Sequence, residues 1–268
     1  MPDRNIKEIK NYNLNKKIDM NTVKNLLVCG SLLASSMAFS QGTETRKFSS
    51  FNKFDIGGPF EVIMEKGNEE SAKIIAEGVA LEKIITEVKG STLDVYLEKG
   101  EYRNIKVKIY LTYKSIDAID KSGSGNLTCN SDLSANNFDL GLSGSGNVTS
   151  KKIKAQQIKI RKSGSGNIKL TALETDDADL SLSGSGDLEI EGGYAKTQSA
   201  HISGSGNIRA HGLKSNECTA FISGSGSIDV SVSQSLAGTI SGSGNIVYDG
   251  DAQVKKLGIS GSGRISRR

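Results

Sequence analysis

Tryptophan is absent from the 268 residues, aromatics make up 5%, and there are only two prolines, two histidines and three cysteines. So few large rings point to a core of small aliphatics along most of the chain. His201 and His211 lie ten residues apart with no Cys/His cluster near them, so no transition-metal site is expected and both are read as solvated or loop residues. A large excess of either charge is missing too, with 34 basic against 30 acidic residues. Of the formal net charge of +4, most belongs to residues 1–40, with six basic and three acidic residues, while the remainder carries 28 basic against 27 acidic. No basic surface for nucleic acid or anionic lipid follows from that balance.

Long apolar runs are confined to Leu26–Ala34, which is too short for a comfortable membrane span. Lys24, that run and the small-x-small triplet Ala38-Phe39-Ser40 read as a signal peptide over residues 20–40, cleaved before Gln41, with Met20 at the natural start and residues 1–19 an over-called start. Cys29 is a poor lipidation site, because Val28 precedes it and the apolar run continues past it. A secreted, periplasmic or outer-surface location is expected, with no transmembrane span after cleavage. Cys129 and Cys218 then remain. Four coils at ~4.8 Å would hold them about 19 Å apart, beyond disulfide reach, so buried free thiols are expected.

Glycine is what the chain has in quantity: 31 residues, 16 of them inside eight copies of Ser-Gly-Ser-Gly-Asn-Ile or a near variant. The copies begin at Ser122, Ser143, Ser163, Ser183, Ser203, Ser223, Ser241 and Ser260, at intervals of 18 to 21 residues. That period is the signature of a stacked repeat, in which each unit covers its neighbour's apolar face. Glycines recurring in register, each pair followed by Ile, Leu or Val, read as ordered turns or close-packed strands rather than linker.

A period of two flanks the motif. Before it stand Phe138-x-Leu140-x-Leu142, Ile158-x-Ile160-x-Lys162 and Ala178-x-Leu180-x-Leu182; behind it stand Leu127, Val148, Ile168, Leu188, Ile208, Ile228, Ile246 and Ile265. If the alternation runs straight through the hexapeptide, both glycines face inward and thin the coil, while the serines and Asn face out. Lys121 and Lys162 occupy the apolar slot before Ser, where the wall is expected to be open enough for an ammonium to reach water. The charged stretches 151–156 and 174–177 are expected to be loops.

These patterns predict an all-β single-stranded β-helix, or solenoid, with coils of about 20 residues and a strand-rich N-terminal cap. Residues 44–121 form that capping part, with a short helical turn near 78–83 and with Gly57-Gly58-Pro59 before Phe60 as a degenerate first motif. Residues 122–268 are the repeat part, continuous with it as one domain. Arg264, Arg267 and Arg268 are expected to discourage end-to-end stacking by repulsion.

Little in the repeats looks catalytic. Calcium-binding β-rolls place Asp in every unit, whereas only Asp187 stands in the Asn column here, so no metal and no cofactor are expected. Sixteen motif serines are equivalent by repetition, and a nucleophile is normally singular and paired with a base. Asp176-Asp177, with Glu174 near, is the one dense acid group that a polysaccharide-cleaving β-helix could use, but it has no distinctive partner. Repetition does build surfaces: hydroxyl ladders, and a polar column of Asn126, Asn147, Asn167, Asp187, Asn207, Ser227, Asn245 and Arg264. Stacked amides pin register, and such an array can also hold a polymer by many weak contacts.

Phe54-Asp55-Ile56 and Phe60-Glu61-Val62, then the tandem copies, then Ile240 to Gly250, resemble the head GIN domain family over roughly Phe48 to Ile265. That family consists of Bacteroidetes-type secreted or auto-transporter adhesins of unknown function. The resemblance implies a single-stranded right-handed β-helix at the cell surface or in the periplasm, and supplies no catalytic residues. The expected function is a non-catalytic surface protein binding glycans or another cell-surface polymer through repetitive polar faces. The alternative is a carbohydrate-active lyase or hydrolase on a β-helix.

Overall fold

The computed structural model describes Gln41–Arg268; the expected leader, its cleavage site and Cys29 lie outside these residues. The described chain is a β-solenoid of about eight turns. Residues at equivalent positions of successive coils pair in parallel, so Ile158 lies beside Phe138 and Ala178, and Ile168 beside Val148 and Leu188. The apolar residues of both flanks point inward, and Leu127, Val148, Ile168, Leu188, Ile208, Ile228 and Ile246 are all at most 1% exposed. Burying each such side chain is worth about 1.5–3 kcal/mol. Because each coil covers the next, this aliphatic column is the spine of the fold. Cys129 and Cys218 are both buried and free, and burial pushes both thiols up to about 12.

The hexapeptide is a corner. At Gly164 the strand before the corner ends on the first glycine, which takes a φ of 93°, and the next strand begins at Ile168, the residue after Asn167. The straight-through expectation is therefore corrected: the first glycine turns the chain, and only the second is buried, in the six copies from Ser143 to Ser241. The reason for glycine also differs. A Cβ on Gly166 would lie 1.9 Å from the carbonyl oxygen of Gly146 in the preceding coil. Glycine permits coils to stack along the axis, rather than letting opposite walls approach.

The charged stretches are strand as well. Val148–Lys154 covers most of the first, and Ile168–Gly184 runs unbroken through Glu174–Asp177. Both bend around the coil while keeping ladder partners, so the backbone stays hydrogen-bonded where the side chains are solvated.

The N-terminal part follows another order. Its strands are β1 (Gly42–Lys47), β2 (Lys53–Gly57), β3 (Phe60–Lys66), β4 (Ser71–Glu77), β5 (Ile84–Lys89), β6 (Thr92–Leu97), β7 (Lys106–Tyr113), β8 (Ala118–Ser122) and β9 (Leu127–Cys129), with a 3-10 turn at Leu81–Lys83. The turn of β2 and β3 sits between that of β6 and β7 and that of β8 and β9, parallel to both. The chain thus lays down one coil, retreats to build the coil beneath it, then continues above. Gly57 aligns with Ser122, and Gly58 has φ 128°, so the corner at Gly57–Phe60 matches the motif corners.

Three antiparallel strands finish that end: β5 on β6, β4 on β7, and β1 on β4. Phe51, Phe54, Phe60 and Tyr113 fill the wider core behind them. In the last coil Arg267 pairs with Asp251 at 2.5 Å and Arg268 pairs with Asp229. Two of the three arginines are thus neutralised locally, which weakens the expected repulsion.

Candidate functional site

Strand alternation and parallel register together convert single positions into columns. The polar column from the Asn position runs up the corner as a hydrogen-bonded ladder. Asn126 Oδ1 accepts from the main-chain N and from Nδ2 of Asn147, both at 3.0 Å, and Asn147 Oδ1 does the same for Asn167. Asn167 Oδ1 accepts from Asp187 N at 2.9 Å, and Asp187 Oδ1 accepts from Asn207 N and Nδ2 at 3.0 and 2.8 Å. Ser227 N donates to Asn207 Oδ1 at 3.1 Å and ends the side-chain series. At Asn245 and Arg264 the main-chain N donates instead to the Gly226 and Gly244 carbonyls.

A carboxylate fits mid-ladder because the position needs only an acceptor. Asp187 Oδ2 also takes Arg209 Nη1 at 2.6 Å. Burial opposes ionisation of Asp187, yet the donors from Asn207 and Arg209 outweigh it and hold its carboxyl below the usual range. The amide bonding capacity of this column is directed along the stack.

The first serines of the motifs behave differently. Ser143, Ser163, Ser183, Ser203, Ser223, Ser241 and Ser260 stand in register along one edge of a sheet face. All are exposed. Two residues earlier lies a second outward column that varies: Asp55, Asp120, Gly141, Arg161, Ser181, His201, Phe221. Between the columns runs a cleft of about 650 Å³ spanning the coils from Asp55 to Phe221. A second, more polar cleft of 960 Å³ lies on the same face, lined by Asp139, Lys159, Asp179 and Ser199, and shares Asp120.

No motif in the sequence marks this second column. Its signal was available by counting two residues back from each motif serine, but each member looks ordinary until the register aligns it. His201 is an exposed strand residue, its ring centroid 5.7 Å from that of Phe221, and His211 lies within the strand Ile208–Gly224; neither is in a loop. Asp176 and Asp177 are both exposed at a bend of their strand, where Asp177 accepts from the Thr197 hydroxyl. No group of three or more His, Cys, Asp or Glu among the described residues is arranged to hold a metal.

A profile described as "Putative auto-transporter adhesin, head GIN domain" matches residues 50–171 and again 147–252. The chain belongs to the head GIN domain family. A solved "putative adhesin" from Parabacteroides merdae ATCC 43184 superposes with a TM-score of 0.79 at 23% identity, covering 85% of this chain and 96% of that one. A "Putative lipid binding protein" from Parabacteroides distasonis ATCC 8503 superposes with a TM-score of 0.78 at 28% identity, over 85% and 96% of the two chains. No curated protein matches the chain. No helix among the described residues is long and apolar enough to cross a membrane.

Two lysines of this head GIN chain depart from expectation under the serine shelf. Lys121 and Lys162 are 1% and 2% exposed, not open to water. The corner carbonyls receive them: Lys121 Nζ donates to Ser122 O at 2.5 Å and to Gly58 O at 3.3 Å, and Lys162 Nζ donates to Gly164 O at 2.9 Å. The turn at the corner points main-chain oxygens at the ammonium, which lets a lysine replace an aliphatic tip. Burial lowers both pKa values, that of Lys121 from 10.5 to about 8.

A pH dependence follows. Native Lys121 releases its proton near pH 8, whereas the unfolded chain keeps it to about 10.5. Between those values the unfolded state binds more protons, so this group makes stability rise with pH. Lys121→Met is expected to raise stability by about 2 kcal/mol at pH 7, since it removes a buried charge whose desolvation outweighs its two carbonyl contacts and which has no carboxylate partner. The advantage should vanish between pH 8 and 10.5, while the thiols titrate alike in both proteins and cancel. Urea melts at each pH test it, and a pH-independent difference would refute the assignment.

Proposed function

We propose that this protein is a non-catalytic, adhesin-type binding module acting at the cell surface or outside the cell, and that it holds a glycan or other polymer along its repetitive polar face. The observation that carries this reading is the serine face: one exposed hydroxyl per coil, in register, beside two long clefts. A surface of repeated weak contacts suits a repeated ligand, because linked contacts multiply affinity without any single strong site. The Asn column is the less suited face, since its amides bond to one another.

A glycan array run beside a polysaccharide-degradation screen tests the proposal. Binding without turnover is the expected result. Saturable cleavage abolished by Asp176→Asn or Asp177→Asn would replace it with the enzymatic alternative. Selective retention on phospholipid vesicles, with no glycan bound, would favour the ligand class named for the Parabacteroides distasonis neighbour.

A further inference from the structure

We infer that the cleft beside the first motif serines binds a linear chain of uncharged sugars, with Phe221 and His201 as its stacking platform. This deepens the proposed function and rests on it.

The aromatic pair is the first ground. Phe51, Phe54, Phe60 and Phe138 are at most 2% exposed and fill the core. Phe221 instead points outward on a strand whose inward positions are taken by Ala220 and Ile222. It is half-buried, and the exposed imidazole of His201 packs against it one coil below, tilted by 39°. The core gains nothing from an aromatic ring placed there. On the outside, the pair offers an apolar platform with a polar edge, in a chain that has two histidines and no tryptophan.

Shape is the second ground. The outward column is tall at the aromatic pair and at Arg161, and low at Ser181 between them. Gly141 leaves another gap, which the Asp120 carboxylate covers: a Cβ there would lie 2.1 Å from Asp120 Oδ1. From Asp55 to Phe221 the cleft crosses six steps between coils, about 29 Å at ~4.8 Å each. That is room for a chain of several sugar rings lying along the axis. A sugar ring has an apolar C–H face to lie on the platform and a rim of hydroxyls to meet Ser183 and Ser203 on the adjoining shelf.

Charge selects within that class. Among the described residues, the one exposed lysine or arginine lining the cleft, Arg161, is held by Asp139 at 2.8 Å and by Asp120 at 3.7 Å. Lys121 and Lys162 line the cleft but are turned under the shelf onto main-chain oxygens. Asp55 adds negative charge at one end. An acidic polysaccharide or a phosphate-bearing surface therefore meets carboxylates and no uncommitted ammonium or guanidinium here, whereas a neutral chain is not opposed.

Affinity electrophoresis of the full chain tests this, using gels that contain a neutral glucan, mannan or xylan, and a polygalacturonate gel for comparison. Retardation by at least one neutral polymer is expected, stronger than by polygalacturonate. Phe221→Ser and His201→Ser should each weaken it at least tenfold with little change in melting temperature. Thr239→Phe, which extends the platform by one coil, should strengthen it. Neutral-polymer binding that survives the double variant F221S/H201S would overturn the assignment of the cleft while leaving the binding function standing. Stronger retention on polygalacturonate would overturn the charge argument and with it the proposal. Retardation by none of the polymers would overturn the proposal and the functional reading together.

Discussion

Gly166→Ala is expected to destabilise the protein by at least about 3 kcal/mol, or to abolish folding, because the added methyl has nowhere to go. Its Cβ would sit 1.9 Å from Gly146 O, and the obstructing atom is backbone of the adjacent coil, which cannot rotate aside. Moving it means separating two coils whose strands are hydrogen-bonded on both flanks of the corner. Gly258→Ala provides the contrast: the nearest atoms there are the Thr239 side chain at 3.7 Å, an ordinary contact. Urea unfolding of the two variants should differ by several kcal/mol. Equal stabilities would show that the corner can relax, and that the motif glycines are not held by stacking.

The second large effect lies in the N-terminal cap. Arg46 on β1 reaches across the cap, donating through Nη1 to Ile84 O at 2.5 Å and Thr86 Oγ1 at 3.1 Å, and through Nη2 to Leu81 O at 2.8 Å. Glu44 holds the same guanidinium at 2.6 and 3.0 Å. One side chain thereby ties the antiparallel strand that ends one face to the turn and strand that end the other. Arg46→Ala should cost about 2–3 kcal/mol, since it removes charge-assisted bonds and strips partners from half-buried carbonyls. Arg46→Lys should recover little of it, as a single ammonium cannot reproduce the fork. Hydrogen exchange should accelerate first in Ile84–Lys89 and Gly42–Lys47. Unchanged exchange there would mean that the cap closes without this clamp.

Both effects arise where local pattern meets a neighbour distant in sequence, and that divides what could be read early from what could not. The spacing of the motifs and the alternation around them were enough to place Leu142, Ile160, Leu182 and Ile222 in a core, and Ser143 and Ser163 on a surface, because a period of two has only two faces. The corner at Gly164 was harder. A strand and a turn use the same letters when the turn residue is glycine, and only a positive φ distinguishes them. Lys121 and Lys162 misled for a related reason: a lysine in an apolar slot ordinarily snorkels, and the carbonyls that receive it exist only once the corner is formed.

The polar column shows the same division. Its members were identifiable from the repeat alone, but their use was not, since whether Asn147 faces a ligand or Asn126 depends on coil-to-coil register. Phe221 and His201 were invisible as a pair, being twenty residues apart in sequence and one coil apart in space.

A stacked β-solenoid with an aliphatic spine was legible in the residues alone, because alternation repeated every 18 to 21 residues buries its apolar face by stacking coil on coil. Family membership was legible there too, through the phased motif. Contacts between coils set the rest. They placed the turn of β2 and β3 between β6–β7 and β8–β9, since the edge at which a coil docks depends on the surface already built. They also aligned the outward column into a cleft, since side chains from separate coils become neighbours only when register holds along the whole stack.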